Sequence, residues 1–139
     1  MYSEKILNIF ANLECYGAVK RPSAQGVYKN EKTGDVICLT IKLENGKIVD
    51  ARFKTFGCVA TIVASEIVCE MILYKYIVDI KKITASDILA QVGALPEDKH
   101  AACQNALMAL KELITNFEKK EAKRLKQALK EQNLNSASF

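Results

Sequence analysis

An α+β fold, in which a small antiparallel three-stranded sheet packs against helices and a long C-terminal helix closes the chain, is what this sequence predicts. Three observations carry the prediction. Strand-like alternation is confined to the first half, helical periodicity occupies both ends, and the strands are contiguous rather than interleaved with helices, so no parallel βαβ arrangement is expected.

The elements follow in order. From Tyr2 to Leu13 the apolar residues Ile6, Leu7, Ile9, Phe10 and Leu13 recur at helical spacing, with Ser3 as a plausible N-cap. Cys15 to Arg21 is irregular around Gly17, and Pro22 bars helix there. A short edge strand is expected over Ala24 to Lys29. Val36 to Leu43 alternates, placing Ile37, Leu39, Ile41 and Leu43 on one face. Asn45-Gly46 then supplies the two positive-φ positions of a tight hairpin turn, and Lys47 to Thr55 returns with Val49, Ala51 and Phe53 sharing a face. After Cys58 the period changes, and a helix is expected from about Val59 to Tyr76. Val78 to Lys82 reads as a helical turn, and Ser86-Asp87 can cap a helix running to Val92 before Gly93 stops it. Ala101 to Glu131 is one helical pattern whose far end, Lys119 to Gln132, is mostly charged and is expected to project into solvent. The expected organisation is one domain over residues 1–132 and a loose tail over 133–139.

Composition narrows the function. At 139 residues, 50% hydrophobic and 26% charged, the chain has the balance of a single globular domain. The net charge of +4 is mild and concentrated between Lys119 and Lys130, which gives no reason to expect nucleic-acid binding. Even the apolar stretch from Ile62 to Val78 is broken by Ser65, Glu66, Glu70 and Lys75, so no membrane span is expected. The start, Met1 to Lys5, does not read as a secretory signal, and the expected compartment is the cytoplasm. Five cysteines without short spacing do not make a disulfide framework, and the absence of a CxxC pair means that a metal site must be assembled from distant segments. No phosphate-binding glycine loop, nucleophile elbow or paired His and carboxylate base is present, so an enzyme with its own turnover is not expected.

The chemistry concentrates in Phe56-Gly57-Cys58-Val59-Ala60-Thr61. A strand ends in a glycine turn and a cysteine stands at the mouth of a helix, where unsatisfied N–H groups and the helix dipole favour the thiolate. Cys103 stands at the start of a second helical pattern, after Leu95-Pro96-Glu97-Asp98-Lys99. Cys69, three helical turns beyond Cys58, reads as a small core residue, and Cys15 lies in a loop. Cys38 falls on the less apolar face of its strand with Val36 and Thr40.

Tyr2 to Lys5, Gly34-Asp35-Val36, the run Asp50 to Cys58, Ala64-Ser65 and Leu95-Pro96 together resemble the IscU/NifU N-terminal type of iron-sulfur cluster assembly scaffold, over about Tyr2 to Phe117. That resemblance implies a surface site of three cysteines and an aspartate, with a histidine beside the third cysteine. Cys58 matches the second cysteine and Asp35 the aspartate, while Thr33 holds the position of the first cysteine. The family's His-Cys-Ser has become His100-Ala101-Ala102-Cys103-Gln104, in which ungapped alignment puts Cys103 one place late and His100 one place early. The resemblance implies Asp35, Cys58, Cys103 and His100 as candidate ligands and Cys103 as sulfur acceptor. It further implies iron or a labile two-iron cluster as cargo, zinc as an alternative metal, a cysteine desulfurase as sulfur donor and cluster-recipient apoproteins as partners. The family's Leu-Pro-Pro-Val-Lys motif, read by a dedicated Hsp70-type chaperone, is altered by Glu97 and Asp98, which argues against that partnership. Thr33 and the displaced Cys103 leave open a zinc-binding or metal-free interaction module, or a sulfur-relay protein, as the alternative.

Overall fold

The structure is a computed structural model and describes residues 1–137. Its order is α1 (Glu4–Ala11), β1 (Ala24–Lys29), β2 (Val36–Glu44), β3 (Lys47–Phe56), α2 (Val59–Ile72), α3 (Ile77–Ile80), α4 (Ala85–Val92) and α5 (Ala101–Ala137). The sheet is antiparallel in the order β1-β2-β3, as the contiguous strands require.

Ser3 caps α1 as expected, its hydroxyl accepting the Ile6 N–H at 3.2 Å. In β2 the alternating residues Ile37, Leu39 and Ile41 are fully buried. Asn45 (φ 53°) and Gly46 (φ 80°) adopt the two left-handed conformations that the hairpin turn demands. The return strand departs from simple alternation. Register shifts between Lys42 and Leu43, so that Lys42 faces Asp50 while Leu43 faces Ile48. Val49 is the extra residue of this bulge, and Ile48 takes the core position in its place.

The inner face of the sheet is covered by α2 and α5. Helix α2 is buried on most of its circumference, which is why its apolar residues do not form one stripe. It ends at Ile72, four residues before the expected limit. Tyr74 turns into the left-handed region (φ 66°), and the chain then pairs with the start of β3 through Tyr74 N–H to Ile48 O (2.7 Å) and Ile48 N–H to Lys75 O (2.9 Å). Helix α4 begins one residue before Ser86, because Thr84 rather than Ser86-Asp87 is the N-cap. Thr84 and Asp87 exchange side-chain and backbone bonds in a capping box. Gly93 (φ 94°) stops this helix as expected.

Two contacts fix the layers. Glu66, 1% exposed, accepts the N–H groups of Glu14 (3.1 Å) and Cys15 (2.9 Å), tying the loop after α1 to α2. Cys15 is thereby buried with Cys69 in the core rather than exposed on its loop. Gly26 lets β1 touch the α5 backbone, since a Cβ there would lie 2.3 Å from Leu113 N. Helix α5 runs to Ala137, past the expected boundary at Gln132, and residues 138–139 of the expected tail lie outside the described residues. Among the described residues no helix is long and apolar enough to cross a membrane.

Candidate functional site

One end of the sheet, the first turn of α2 and the first turns of α5 meet at a cavity of about 260 Å³. Its walls include Thr33, Asp35, Cys58, Thr61, Lys99 and Asn105. Each wall has a local cause. The turn before β2 is built by Asn30, whose Oδ1 accepts the N–H groups of Lys32 (2.9 Å) and Thr33 (3.2 Å), while Asn30 N–H donates to Asp35 O (2.8 Å). Gly34 (φ 79°) permits the reversal, and Thr33 Oγ1 accepts Asp35 N–H at 3.3 Å. These bonds aim the Asp35 carboxylate across the sheet end at the turn between β3 and α2. Gly57 leaves room for that carboxylate, since a Cβ would lie 2.8 Å from Asp35 Oδ1 and push it aside.

Cys58 is the N-cap of α2, with extended backbone and no side-chain capping bond of its own. Its Sγ is 3.4 Å from Thr61 Oγ1, and the single proton of that hydroxyl is placed to go to Asp35 Oδ2 at 3.0 Å while Cys58 is a thiol, or to turn to Sγ when Cys58 ionises. Asn105 Nδ2 donates to the same Oδ2 at 3.4 Å and is itself held by Asn30 Nδ2, which donates to Asn105 Oδ1 at 2.9 Å. The result is one connected polar network, Cys58–Thr61–Asp35–Asn105–Asn30. Partial burial pushes the Cys58 thiol up, but the Thr61 hydroxyl, the N–H groups of Thr61 and Ala60 and the Lys99 charge outweigh it, and the pKa falls below the ordinary thiol value.

The cysteines separate clearly. Cys58 is half-buried with a lowered pKa, whereas Cys103 is 2% exposed and burial pushes its thiol up to about 11. Cys38, half-buried on the outer face of the sheet, is raised by burial against the lowering charge of Lys54. Cys69 is fully buried, and the adjacent Cys15 thiol and burial raise it.

Of the residues expected at the site, the fold brings together Thr33, Asp35 and Cys58 and leaves out Cys103 and His100. Ala101 and Ala102 line the cavity instead, so the start of α5 keeps the ungapped register. Cys103, about 100° further round the helix, turns into the core. His100 is exposed, and its Nε2 bonds Leu95 O at 2.9 Å. Among the described residues no group of three or more His, Cys, Asp or Glu side chains is placed to hold a metal ion. The cavity's donors are the Cys58 thiol, the Asp35 carboxylate that already accepts two hydrogen bonds, and the Asp98 carboxylate, and these three are not grouped closely enough to make a metal site, still less a four-coordinate one. Thr61 and Asn105 were not anticipated. Thr61 stands three residues after Cys58, where an N-cap meets N3, and Asn105 stands four residues after Ala101 on one helix face.

Comparison with known proteins follows the same outline. The sequence profile described as the NifU-like N terminal domain matches residues 1–124. The "Iron-sulfur cluster assembly scaffold protein IscU 1" of Archaeoglobus fulgidus is 32% identical over 123 residues, covering 88% of this chain and 80% of that protein. The protein named "Iron-sulfur cluster assembly scaffold protein IscU" of Aquifex aeolicus is 38% identical over 100 residues, 70% of this chain and 64% of the other. Among solved structures, the N-terminal NifU-like protein of Brucella abortus superposes with a TM-score of 0.68 at 18% identity, over 86% of this chain and 95% of that one, a likeness of fold.

Proposed function

Since the chain belongs to the NifU-like N-terminal domain family, we propose that it serves iron-sulfur cluster assembly as a scaffold-type protein whose working thiol is Cys58. The observation that carries this reading is the placement of Cys58 at the α2 N-terminus, half-exposed, hydrogen-bonded to Thr61 and lowered in pKa, beside Asp35. In the proposed step the Cys58 thiolate attacks the outer sulfur of a persulfide on a cysteine desulfurase. The donor's S–S bond breaks, its thiolate leaves, and the persulfide now stands on Cys58, with no net redox change. Cys58 replaces Cys103 as acceptor, because a thiol that is 2% exposed and raised to about 11 is a poor nucleophile.

For iron or a nascent two-iron cluster as cargo, Cys58 and Asp35 form a two-donor half-site. The remaining donors come from the sulfur source or from the recipient apoprotein, and cargo so held passes on readily. The chain acts by carrying and presenting, without turnover of its own. Anaerobic incubation with ferrous iron, cysteine and a cysteine desulfurase, followed by desalting, tests this. The chain alone should lose its visible cluster absorbance on desalting, and Cys58→Ala should never develop it. Cluster absorbance that survives desalting and is indifferent to Cys58→Ala would refute the assignment.

A second reading, a metal-free or zinc-carrying interaction module, is favoured by one specific observation. Thr33, Ala101 and Ala102 stand at the wall where metal donors are needed. Stoichiometric zinc in freshly purified protein, resistant to exchange by iron, would select the zinc-carrying form. Folded, metal-free protein that takes no sulfur on Cys58 would select the metal-free one.

A further inference from the structure

Helix α5 outruns the body that it packs on. Ile114 is 8% exposed and Phe117 still packs against the core, but from Ala122 to Leu134 every residue is exposed. Residues 122–137 extend about 24 Å at about 1.5 Å per residue, and most of that length lies beyond residue 124, where the family match ends. Within this overhang the local support is slight. Arg124 bonds Glu121 at 3.1 Å and Gln127 bonds Glu131 at 3.3 Å. Exposed pairs of this kind do not by themselves sustain an isolated helix in water.

The pattern along the overhang is not uniformly polar. Leu125 follows Ile114 by eleven residues, about three turns, so it continues the core-facing side of the helix past the end of the body. Leu129 lies one turn further, and the two leucines are 58% and 53% exposed. At the root of the overhang, Leu43 and Phe117 open a cavity of about 400 Å³ beside the hairpin turn, giving the stripe a continuation onto the body. The charge around it has one sign, since six cations and three carboxylates between Glu118 and Glu131 leave a net +3.

We propose that the α5 overhang is a docking arm for an acidic amphipathic helix of a partner protein, which lays its apolar seam on Leu125 and Leu129 and its carboxylates against the flanking lysines. The charge decides the occupant. A second copy would set two arms of net +3 side by side, and the two-leucine stripe has the width of a helix seam rather than of a face buried in lipid.

The test is anisotropy of a labelled synthetic helix with leucine at alternating third and fourth positions and glutamate on the flanks, titrated with the full chain. The peptide should bind, more weakly as salt is raised. Leu125→Ala with Leu129→Ala should weaken it about tenfold or more, with circular dichroism and thermal midpoint unchanged because both side chains are exposed and alanine keeps the helix propensity. Four results would each overturn the proposal. These are no binding, equal binding of a peptide with lysine on its flanks, self-association of the chain that the double variant abolishes, and attachment to phosphatidylserine vesicles that the double variant abolishes.

Discussion

Thr61→Val is the perturbation that probes the site most selectively. Valine keeps the shape of threonine in a position with no exposed surface, and removes only the Oγ1 that donates to Asp35 Oδ2 at 3.0 Å and sits 3.4 Å from Cys58 Sγ. Among the influences that lower the Cys58 pKa, the Thr61 hydroxyl is the first, and without it the upward push of burial is less well opposed. A hydrogen bond to a charged group contributes about 1.5–3 kcal/mol, and turning the Thr61 proton to the thiolate gives up part of that at Asp35, which Asn105 still bonds. Cys58 is partly exposed, and screening brings this to about 1 kcal/mol, or roughly a fivefold loss of thiolate reactivity at neutral pH. The assay is iodoacetamide alkylation followed peptide by peptide in the native protein. Cys58 should react first in the parent chain and about five times more slowly in Thr61→Val, while urea unfolding shifts by less than about 1 kcal/mol because Asn105 still bonds Asp35. An unchanged Cys58 rate in a folded variant, or a parent chain in which Cys103 reacts before Cys58, would refute the reasoning.

Three further outcomes follow from the packing. Gly26→Ala places a methyl 2.3 Å from Leu113 N and 2.5 Å from Ala109 O, both backbone atoms of α5, so urea denaturation should show a loss at or above the upper end of about 1–3 kcal/mol. Cys103→Ser buries a hydroxyl in the core, and should cost about 1–3 kcal/mol in the same assay while sulfur acceptance from a desulfurase is retained. Glu70 is pushed up to about 7 by burial and by the neighbouring carboxylates of Glu66 and Glu14. Below the unfolded value of 4.5 both states are protonated, and above about 7 both are ionised, so stability falls as pH rises between those limits. Glu70 is largely exposed, which trims the effect to about 1 kcal/mol, and Glu70→Gln should flatten that part of a pH–stability curve.

What could be read in advance and what could not divides along physical lines. The β2–β3 hairpin was legible because alternation and Asn45-Gly46 are both local signals, and Ser3 and Gly93 marked their helix ends for the same reason. The bulge at Val49 and the early end of α2 were not, because the hairpin's shift to pair Leu43 with Ile48 carries no residue signal of its own, and α2 ends where the segment at Lys75 pairs with Ile48, far away in sequence. At the site, Cys58 and Asp35 were legible through the Gly57 turn and the family resemblance. Cys103 was not, since one residue of helical register rotates a side chain by about 100° and exchanges cavity for core. Thr61 and Asn105 escaped notice because an isolated threonine or asparagine carries no signal until the fold sets it against Asp35.

The central claim is that Cys58 is the thiol through which this chain works. Incubating the full chain with a cysteine desulfurase and cysteine, then mapping added sulfur by mass spectrometry of its peptides, tests that claim most directly. The account predicts one extra sulfur on the Cys58 peptide, abolished by Cys58→Ala and untouched by Cys103→Ser. Sulfur on the Cys103 or Cys38 peptide instead, or on neither of these nor on Cys58, would contradict it.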